Sequence, residues 1–325
     1  MSTTAKRQVD GVTVIVPVYN SESALVPLCK RVDRVLQGLE RPLEILLVDD
    51  KSRDRSWDVI RQLSGDHPHI RGIKMSRNYG QHSAVLCGLR AARYPVCVTI
   101  DDDLQHPPEE IPRLLDVLDS GYDVVYGTPA HEQHGFFRNV ASRITKLALQ
   151  SIMGAEAARN VSAFRVLRTH IRDAFANFRG PFVSIDVLLT WGTTSFASVR
   201  VEHQPRANGA SNYTFRMLVS HAVNMLTGFS ALPLQIASIT GFGVALFGLG
   251  VLVYVLYMYS VHGHAVPGFT FLASVIAVFS GVQLFSLGII GEYLARMHFR
   301  LMDKPAYVVS ELTDAMPAAS EVPRL

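Results

Sequence analysis

The chain has 325 residues, of which 48% are hydrophobic and 18% are charged, and its formal net charge is +3. This length suffices for one main domain with an appendage, and with so small a charge excess nothing argues for nucleic-acid binding. The chain has 3 cysteines, an odd number without the spacing of a disulfide framework, so we expect buried free thiols in a reducing compartment.

Strand-like and helix-like segments alternate through the first part of the chain. Strands are predicted at residues 12–18, 43–48, 70–75 and 96–100, and helices at about 22–39, 54–63, 81–92 and 109–118. This order predicts an α/β fold, a parallel sheet with helices on both faces, and the near-continuous Val, Ile and Leu of the strands fit burial on both sides. Further along, the pattern predicts strands at 122–126, 164–167 and 198–201 and an amphipathic helix at 136–152.

Three of the predicted strands end in polar or turn-forming residues. These ends are residues 17–20 after the first strand, Asp49 and Asp50 after the second, and residues 101–105 after the fourth. In parallel sheets of this kind, ligands bind beyond the carboxyl ends of the strands. The sequence therefore predicts one binding site to which all three ends contribute.

The acidic run Asp101, Asp102 and Asp103, followed by Gln105, is the strongest candidate for chemistry. Three adjacent carboxylates repel one another unless a cation joins them, and hard oxygen ligands suit Mg²⁺ or Mn²⁺ shared with substrate phosphates. Alternate residues at a strand end point the same way, so Asp101 and Asp103 can share one face. A metal there would neutralise a diphosphate leaving group. The alternative is a solvated acidic turn that caps the next helix.

Asp49 and Asp50 form a second acidic pair, at a neighbouring strand end. A carboxylate there can accept a hydrogen bond from a base N–H or a ribose hydroxyl, while Ser52 or Asp54 can cap the following helix. The first strand leads into VPVYNSES, which lacks the G-x-G-x-x-G dinucleotide motif, and the chain contains no P-loop. NAD-dependent enzymes and P-loop nucleotide hydrolases are therefore disfavoured.

The C-terminal part contains two long uncharged segments. Between Arg216 and Glu292 there is no Asp, Glu, Lys or Arg. Residues 234–259 and 268–290 each exceed the length of about 20 helical residues that spans a bilayer core. We expect two transmembrane helices, and a pair of buried helices in a soluble protein is the alternative.

The positive charges around these segments predict their orientation. The connecting loop, residues 260–267, contains no Lys or Arg, whereas Arg296, Arg300 and Lys304 follow the second segment. The positive-inside rule therefore places both ends of the pair, and the main domain, in the cytoplasm. Residues 214–230 fit either an interfacial helix lying on the membrane or a simple lead-in to the first span.

Several motifs, in this order and spacing, together carry a resemblance to a known family. They are VPVYN, EILLVDDKSRD, NYGQHSAVLCGL and DDDLQHPPEEIPRL, and SAFRVLR, RANGASNY and GIIGEYLAR extend the match over about residues 10–310. The chain resembles the family 2 glycosyltransferases, in the branch of bacterial polyprenyl-phosphate glycosyltransferases and dolichyl-phosphate mannose synthase. The resemblance implies a GT-A-type, Rossmann-like, mostly parallel sheet followed by a two-helix transmembrane hairpin.

The resemblance also implies a division of the chain at the inner (plasma) membrane. Residues 1–213 would form a cytoplasmic catalytic domain and residues 214–232 an interfacial helix. Residues 233–292 would hold the two transmembrane helices, and residues 293–325 would form a cytoplasmic tail.

Individual residues acquire expected roles from the same resemblance. The donor nucleotide would be bound by Pro17, Tyr19, Asp49, Asp50, Asp102 and Arg138. The metal, Mg²⁺ or Mn²⁺, would be held by Asp101, Asp103 and Gln105. Catalysis would involve Asp102 beside the ribose and sugar, Asp103, Arg165 and Arg206. Arginine suits a place near donor and acceptor phosphates because its planar donors grip phosphate in a bidentate way.

Two positions depart from the family pattern. Asn212 stands where the family commonly has a lysine, so one phosphate-binding cation is missing or replaced. Asp102 stands where the family commonly has a small residue, which bears on metal binding or sugar selection. The Q-x-x-R-W signature of processive synthases is absent, so one transfer per acceptor is favoured over polymer synthesis.

The implied reaction is metal-dependent transfer of a sugar from a nucleotide-sugar to a polyprenyl phosphate, such as undecaprenyl phosphate, at the cytoplasmic membrane face. The acceptor phosphate is largely ionised at neutral pH, so it needs no general base, and in-line attack would invert the anomeric configuration. Membrane lipid is a further expected partner, nucleic acid is not, and a homo-oligomer is left open. The alternatives are a glycosyltransferase with another acceptor and a non-catalytic membrane scaffold or lipid translocase component.

Overall fold

The structure consists of an α/β unit and a pair of long apolar helices. The computed structural model describes residues 11–39, 41–129, 160–180, 182–202, 232–262 and 268–313. One unit comprises residues 1–215 together with 304–325, and the other comprises residues 216–303. The α/β unit confirms the fold class predicted from the sequence.

The elements of the α/β unit follow the predicted alternation. The strands are β1 (Val12–Val18), β2 (Leu43–Asp49), β3 (Ile70–Met75), β4 (Val96–Thr99), β5 (Val124–Pro129), β6 (Arg165–Arg168), β7 (Phe196–Val201) and β8 (Val309–Leu312). The helices are α1 (Leu25–Gln37), α2 (Ser56–Asp66), α3 (Gln81–Ala91), α4 (Ile111–Asp119) and α5 (Ile185–Gly192), with 3₁₀ turns at Pro108–Glu110 and Thr169–Phe175.

The eight strands of the described residues form one sheet, in the order β7-β5-β6-β4-β1-β2-β3-β8. β1 runs parallel to β2 and β4, β2 to β3, and β5 to β7, whereas β6 is antiparallel to β4 and β5. β8 is antiparallel to β3. The sheet is therefore mostly parallel, and β1 to β4 end along one side, which we call the carboxyl edge.

Apolar side chains cover the sheet on both faces, as its continuous apolar strands require. Every residue of β1 is buried. One core cluster joins β1, β2 and β4 to α1, α2 and α4, and the other joins the sheet to α3 and α5. Helix α3 packs so closely that a Cβ at Gly88 would lie 2.3 Å from Cγ2 of Ile15. Only glycine allows this close approach of α3 to β1. The start of α3 lies beside the carboxyl edge because it follows the end of β3.

Strand β8 returns from the C-terminal side of the chain and was not predicted from the sequence. Its Glu311 accepts hydrogen bonds from Trp57 Nε1 and Lys74 Nζ, each at 2.9 Å, and Thr313 Oγ1 accepts one from Gly72 N at 2.8 Å. These contacts tie residues of the expected tail into the sheet. A strand of four residues has too short a pattern to predict from the sequence alone.

The chain leaves and re-enters the sheet at the carboxyl edge. β7 is parallel to β5, so its last residue, Val201, lies at this edge. β8 is antiparallel to β3, and its first residue, Val309, is paired with Met75 at the end of β3. Both connections to the apolar helices therefore start from the edge where the predicted site residues lie.

The second unit contains helices α6 (Leu232–His262) and α7 (Phe269–Leu301). Stretches at Pro233–Val261 and Val278–His298 are long and apolar enough to cross a membrane, and none of their most apolar residues is buried in the protein. The two helices pack through Gly248, where a Cβ would lie 2.2 Å from Cζ of Phe279. Exposed apolar side chains on helices of this length indicate membrane association.

Some sequence predictions fall outside the described residues. These are the helix at 136–152 and the interfacial helix within 214–232. Among described elements, α1 begins at Leu25 rather than near residue 22, because Ser21 and Glu22 bond to the loop after β2 through their backbone N–H groups.

Candidate active site

The predicted site residues after β1, β2 and β4 lie together at the carboxyl edge. Val18 at the end of β1 is paired with Asp49 at the end of β2, and Ile15 is paired with Thr99 at the end of β4. Pro17 is buried within β1, whereas the Tyr19 side chain is 41% exposed. An exposed aromatic ring at this place has a face available for stacking on a flat ligand such as a nucleobase.

Asp102 joins the loop after β4 to the loop after β1. Its Oδ2 accepts hydrogen bonds from Ser21 Oγ at 2.5 Å and from the Tyr19 N–H at 3.1 Å. Burial raises the pKa of Asp102, and the neighbouring Asp103 carboxylate raises it further, while these hydrogen bonds lower it. Asp102 therefore holds the exposed Tyr19 in place, a positioning contact in addition to its expected place beside the donor.

Asp101 and Asp103 carry carboxylate oxygens, the type of ligand that suits a hard cation. Asp101 Oδ1 accepts a hydrogen bond from Gln81 Nε2 at 2.5 Å, and Asp103 Oδ1 accepts one from Gln105 N at 3.1 Å. Among the described residues, no group of three or more His, Cys, Asp or Glu is arranged as a complete metal site. Mg²⁺ and Mn²⁺ sites commonly use one or two carboxylates and complete their shell with water and substrate phosphates. The donor set fits a metal shared with a substrate.

Asp50 organises the loop that connects β3 to α3. Its two carboxylate oxygens accept hydrogen bonds from the backbone N–H groups of Tyr79 at 2.7 Å and Gly80 at 2.8 Å. Burial raises the pKa of Asp50 to about 6, and the adjacent Asp49 adds to the rise, although the two N–H donors oppose it. Asp50 thereby places the start of α3, and with it Gln81, next to Asp101.

Asp49 is buried beside Asp50. Its Oδ1 accepts a hydrogen bond from Ser52 N at 3.1 Å, while its Oδ2 has no hydrogen-bond partner among the described residues. Burial raises the pKa of Asp49. A buried carboxylate oxygen without a donor is costly, so Asp49 retains an acceptor that a ligand can use.

The backbone at this edge is unusual. Asn20, Lys51 and Leu104 have φ values of 55°, 60° and 59°, and they follow β1, β2 and β4 respectively. Gly80, which precedes α3, has a φ of 91°. Left-handed backbone costs energy for residues other than glycine and concentrates at functional sites. All four positions lie in the loops that carry the predicted site residues.

Arg165 lies in the core next to the carboxyl end of β4, where it is paired with Thr99. It is 3% exposed and forms an ion pair with Asp186 of α5, which also accepts a hydrogen bond from Tyr126 Oη at 3.1 Å. Burial and the Asp186 charge raise the pKa of Tyr126 well above its usual value, so its hydroxyl remains a donor. The expected contact of Arg165 with phosphate stays a prediction, and Arg138 and Arg206 lie outside the described residues.

The sequence of this chain is similar to those of known proteins. The model of the family described as glycosyl transferase family 2 matches residues 13–183. The undecaprenyl-phosphate 4-deoxy-4-formamido-L-arabinose transferase of Pseudomonas aeruginosa (strain LESB58) is 35% identical over 314 residues, covering 96% of this chain and 93% of the relative. The protein of that description from Pectobacterium atrosepticum is 34% identical, covering 94% and 95%. This chain belongs to glycosyl transferase family 2. It is a glycosyltransferase, as its motifs predicted.

Solved structures share the fold of this glycosyltransferase at low sequence identity. Glucosyl-3-phosphoglycerate synthase from Mycobacterium tuberculosis, in complex with Mn²⁺, uridine diphosphate and phosphoglyceric acid, matches with a TM-score of 0.51 and 16% identity. The match covers 67% of this chain and 76% of that one. Mannosyl-3-phosphoglycerate synthase from Rubrobacter xylanophilus has a TM-score of 0.51 and 19% identity, covering 66% and 72%. The glycosyltransferase fold thus accounts for the α/β unit.

Several polar groups at the glycosyltransferase site were not singled out from the sequence. Ser21 and Gln81 bond to acidic side chains that were predicted, and Tyr79 and Gly80 do so through backbone N–H groups. Three of them belong to the NYGQHSAVLCGL motif, whose Asn-Tyr-Gly sequence is a turn signal directly before α3. The turn signal predicted a loop at this place, but it did not show which carboxylate the loop binds.

Proposed function

We propose that this glycosyltransferase transfers a sugar from a nucleotide-sugar to undecaprenyl phosphate at the surface of the cell membrane. The observation that carries the proposal is the similarity to undecaprenyl-phosphate sugar transferases over 94–96% of the chain, which includes both apolar helices. An acceptor with a polyprenyl tail also gives a physical reason for the helices. Its phosphate is confined to the bilayer surface, so the enzyme that uses it must work there.

The nucleotide of the donor would bind over the ends of β1 and β2. Tyr19 offers an exposed ring for the base, and Asp49 has a buried acceptor atom for a base N–H or a ribose hydroxyl. Asp50 would add a carboxylate at the same place while it fixes the loop before α3. Asp102, which accepts hydrogen bonds from the loop after β1, would lie beside the ribose and sugar.

A divalent metal would be held by Asp101 and Asp103, with Gln105 close by. This proposal is based on the hard oxygen ligands that follow β4, at the same edge of the sheet as the proposed donor site. When bound, Mg²⁺ or Mn²⁺ would offset the charge of the donor diphosphate and of the leaving nucleoside diphosphate. Asp50 and Gln81 contribute indirectly. Asp50 positions the start of α3, and Gln81 in the first turn of that helix donates a hydrogen bond to Asp101.

The acceptor phosphate is the nucleophile, so the chain has to position it and does not have to deprotonate it. One phosphate oxygen would form a bond to the anomeric carbon as the bond from that carbon to the donor diphosphate breaks. The electron pair leaves with the nucleoside diphosphate, and the configuration is inverted. Arg206, and Arg138 for the donor, would offset the repulsion between the two anions.

Membrane topology is part of the proposal. We infer that both ends of the helical pair, and the α/β unit, lie on the cytoplasmic side, with residues 260–267 on the opposite side. The Lys/Arg asymmetry supports this orientation. Chain connectivity supports the placement of both ends on one side, since β7 precedes the pair and β8 follows it in one and the same sheet.

The test is transfer by the purified full-length chain in detergent, with undecaprenyl phosphate and a panel of labelled nucleotide-sugars. The panel includes a donor of 4-deoxy-4-formamido-L-arabinose, the sugar named for the relatives. The expected product is one labelled, organic-soluble lipid whose sugar is released by mild acid. Label that enters a soluble sugar or protein, or that enters lipid equally well without undecaprenyl phosphate, would refute the proposal.

A further inference from the structure

Three exposed cations follow β2 at the carboxyl edge: Lys51, Arg53 and Arg55, which we call the basic rim. No ion pair links any of them to an acidic residue in the described part of the chain. The basic rim has no role in the donor contacts set out above.

The loop that carries the basic rim is bonded to the loop after β1. The side chains that alternate with the cations point inward and accept hydrogen bonds from that loop's backbone. Ser52 Oγ accepts from Asn20 N at 3.0 Å, Ser56 Oγ from Ser21 N at 2.9 Å, and Asp54 Oδ2 from Glu22 N at 3.2 Å. In return, Arg53 N donates to Asn20 Oδ1 at 2.7 Å and Arg55 N donates to Glu22 Oε2 at 2.9 Å.

These five hydrogen bonds fix the direction in which the cations face. The inward side of the loop meets the loop after β1, which carries Tyr19 and is bonded to Asp102, so the cations extend into solvent on the other side. Lys51 is held at a φ of 60°, a conformation that would suit glycine or asparagine better. A neutral residue would thus serve this turn better, and the lysine needs another explanation.

The charge of the carboxyl edge supplies that explanation. Asp49, Asp50, Asp101, Asp102 and Asp103 all lie at this edge. If the enzyme takes its acceptor from a bilayer, this acidic edge has to approach a surface that anionic lipids make negative. The repulsion acts within about 8 Å at physiological ionic strength. Cations on the same edge offset it, and each Lys or Arg near such a surface contributes about 1 kcal/mol.

We infer that the basic rim binds the headgroups of anionic phospholipids and so holds the carboxyl edge against the membrane. The inference rests on the proposed function, because only a lipid-linked acceptor brings this edge to a bilayer. The alternating pattern favours lipid over the donor. Ser52, Asp54 and Ser56 occupy the side of the loop that bonds to the loop after β1, and the cations lie on the opposite side, away from Tyr19, where the base of the donor is proposed to bind. Acceptor capture should then depend on anionic lipid and on salt.

The experiment compares the full-length protein with a variant carrying Lys51→Asn, Arg53→Ser and Arg55→Ser. Asparagine accepts the left-handed backbone, and the inward side chains are unchanged. Both proteins are reconstituted in phosphatidylcholine vesicles with and without phosphatidylglycerol, and transfer to undecaprenyl phosphate is measured at low and high salt. A control variant with the same change in charge neutralises Lys30, Arg34 and Arg61, which are exposed on α1 and α2 away from the edge; Arg61 is ion-paired with Asp58.

Phosphatidylglycerol should raise the transfer rate of the parent protein at low salt by at least about fivefold, the effect of one cation. The rim variant should lose this gain while keeping the parent rate in phosphatidylcholine, and the control variant should keep the gain. High salt should abolish the gain of the parent protein and of the control variant.

Three results would overturn the inference: a parent rate that does not respond to phosphatidylglycerol, a rim variant that keeps the full response, or a rim variant with a raised KM for the donor in detergent. The last result would assign the rim to the donor instead. Absence of transfer by the parent protein in every vesicle would refute the proposed function itself. This outcome differs from the three above, in which the parent protein is active.

Discussion

The buried ion pair between Arg165 and Asp186 connects the stability of the sheet to the active site. Arg165 is 3% exposed and Asp186 is 5% exposed, and Tyr126 donates a hydrogen bond to the same carboxylate. The change Asp186→Leu leaves the guanidinium buried without its counter-charge. Removing one partner of a buried pair costs about 3–5 kcal/mol. For a unit of about 150–250 residues this lowers the thermal midpoint by roughly 6–20 °C.

Two further variants calibrate this loss. Tyr126→Phe removes only one hydroxyl donor to a charged acceptor, so we expect about 1.5–3 kcal/mol. The triple variant Arg165→Met, Asp186→Leu and Tyr126→Phe removes both charges together with the hydroxyl that would lose its acceptor, and it fills the space with apolar groups. Such replacements are often neutral or stabilising, so the triple variant should unfold close to the parent.

The assay is the thermal midpoint of the purified full-length chain in detergent, measured together with the transfer rate. An Asp186→Leu variant as stable as the parent would refute the reasoning from burial. The triple variant then separates two roles of Arg165. If Arg165 serves only the core, the triple variant is both stable and active. If it also contacts a phosphate, the variant is stable but slower by about 30- to 150-fold.

Four other outcomes are expected. Asp103→Asn should abolish transfer, and EDTA should do the same to the parent, because Asp103 is expected to hold the metal. Arg206→Ala should lower the transfer rate by about 30- to 150-fold, the loss of a charge-assisted phosphate contact, and Arg206→Lys should restore only part of it. A cysteine introduced by Gly263→Cys should resist a membrane-impermeant thiol reagent applied from the cytoplasmic side. Finally, because burial raises the pKa of Asp50 from 3.8 to about 6, the folded state retains a proton that the unfolded chain releases. Stability relative to the Asp50→Asn variant should therefore fall as pH rises from 3.8 to about 6 and stay level above that range, as followed by thermal midpoints.

Each of these outcomes has a control and a contrary result. Asp58→Asn, on the exposed surface of α2, should leave transfer unchanged, and full activity in EDTA would exclude the metal. An Arg206→Ala rate within about threefold of the parent, or a loss matched by unfolding, would remove Arg206 from the site. Gln37→Cys, which is exposed in the α/β unit, is the positive control for labelling, and cytoplasmic labelling at position 263 would contradict the topology. Identical pH profiles for parent and Asp50→Asn would contradict the burial of Asp50.

The sequence determined the fold class and the edge that carries the site. The alternation of apolar strands with helices is enough to predict a parallel sheet, and in such a sheet the carboxyl ends of neighbouring strands meet. Asp49, Asp50 and Asp101 to Asp103 could therefore be placed together without a structure. The two apolar segments were also readable, because their length and lack of charge are local properties of the chain.

Only the tertiary structure decided which atoms meet. Asp50 binds backbone N–H groups 29 and 30 residues away, and Asp102 binds Ser21 across 81 residues. No local pattern encodes such pairs, since they depend on how closely α3 packs on the sheet and how the loops cross. The return of β8 to β3 is the same case, because a short strand gains its stability from the edge that it joins and not from its own four residues.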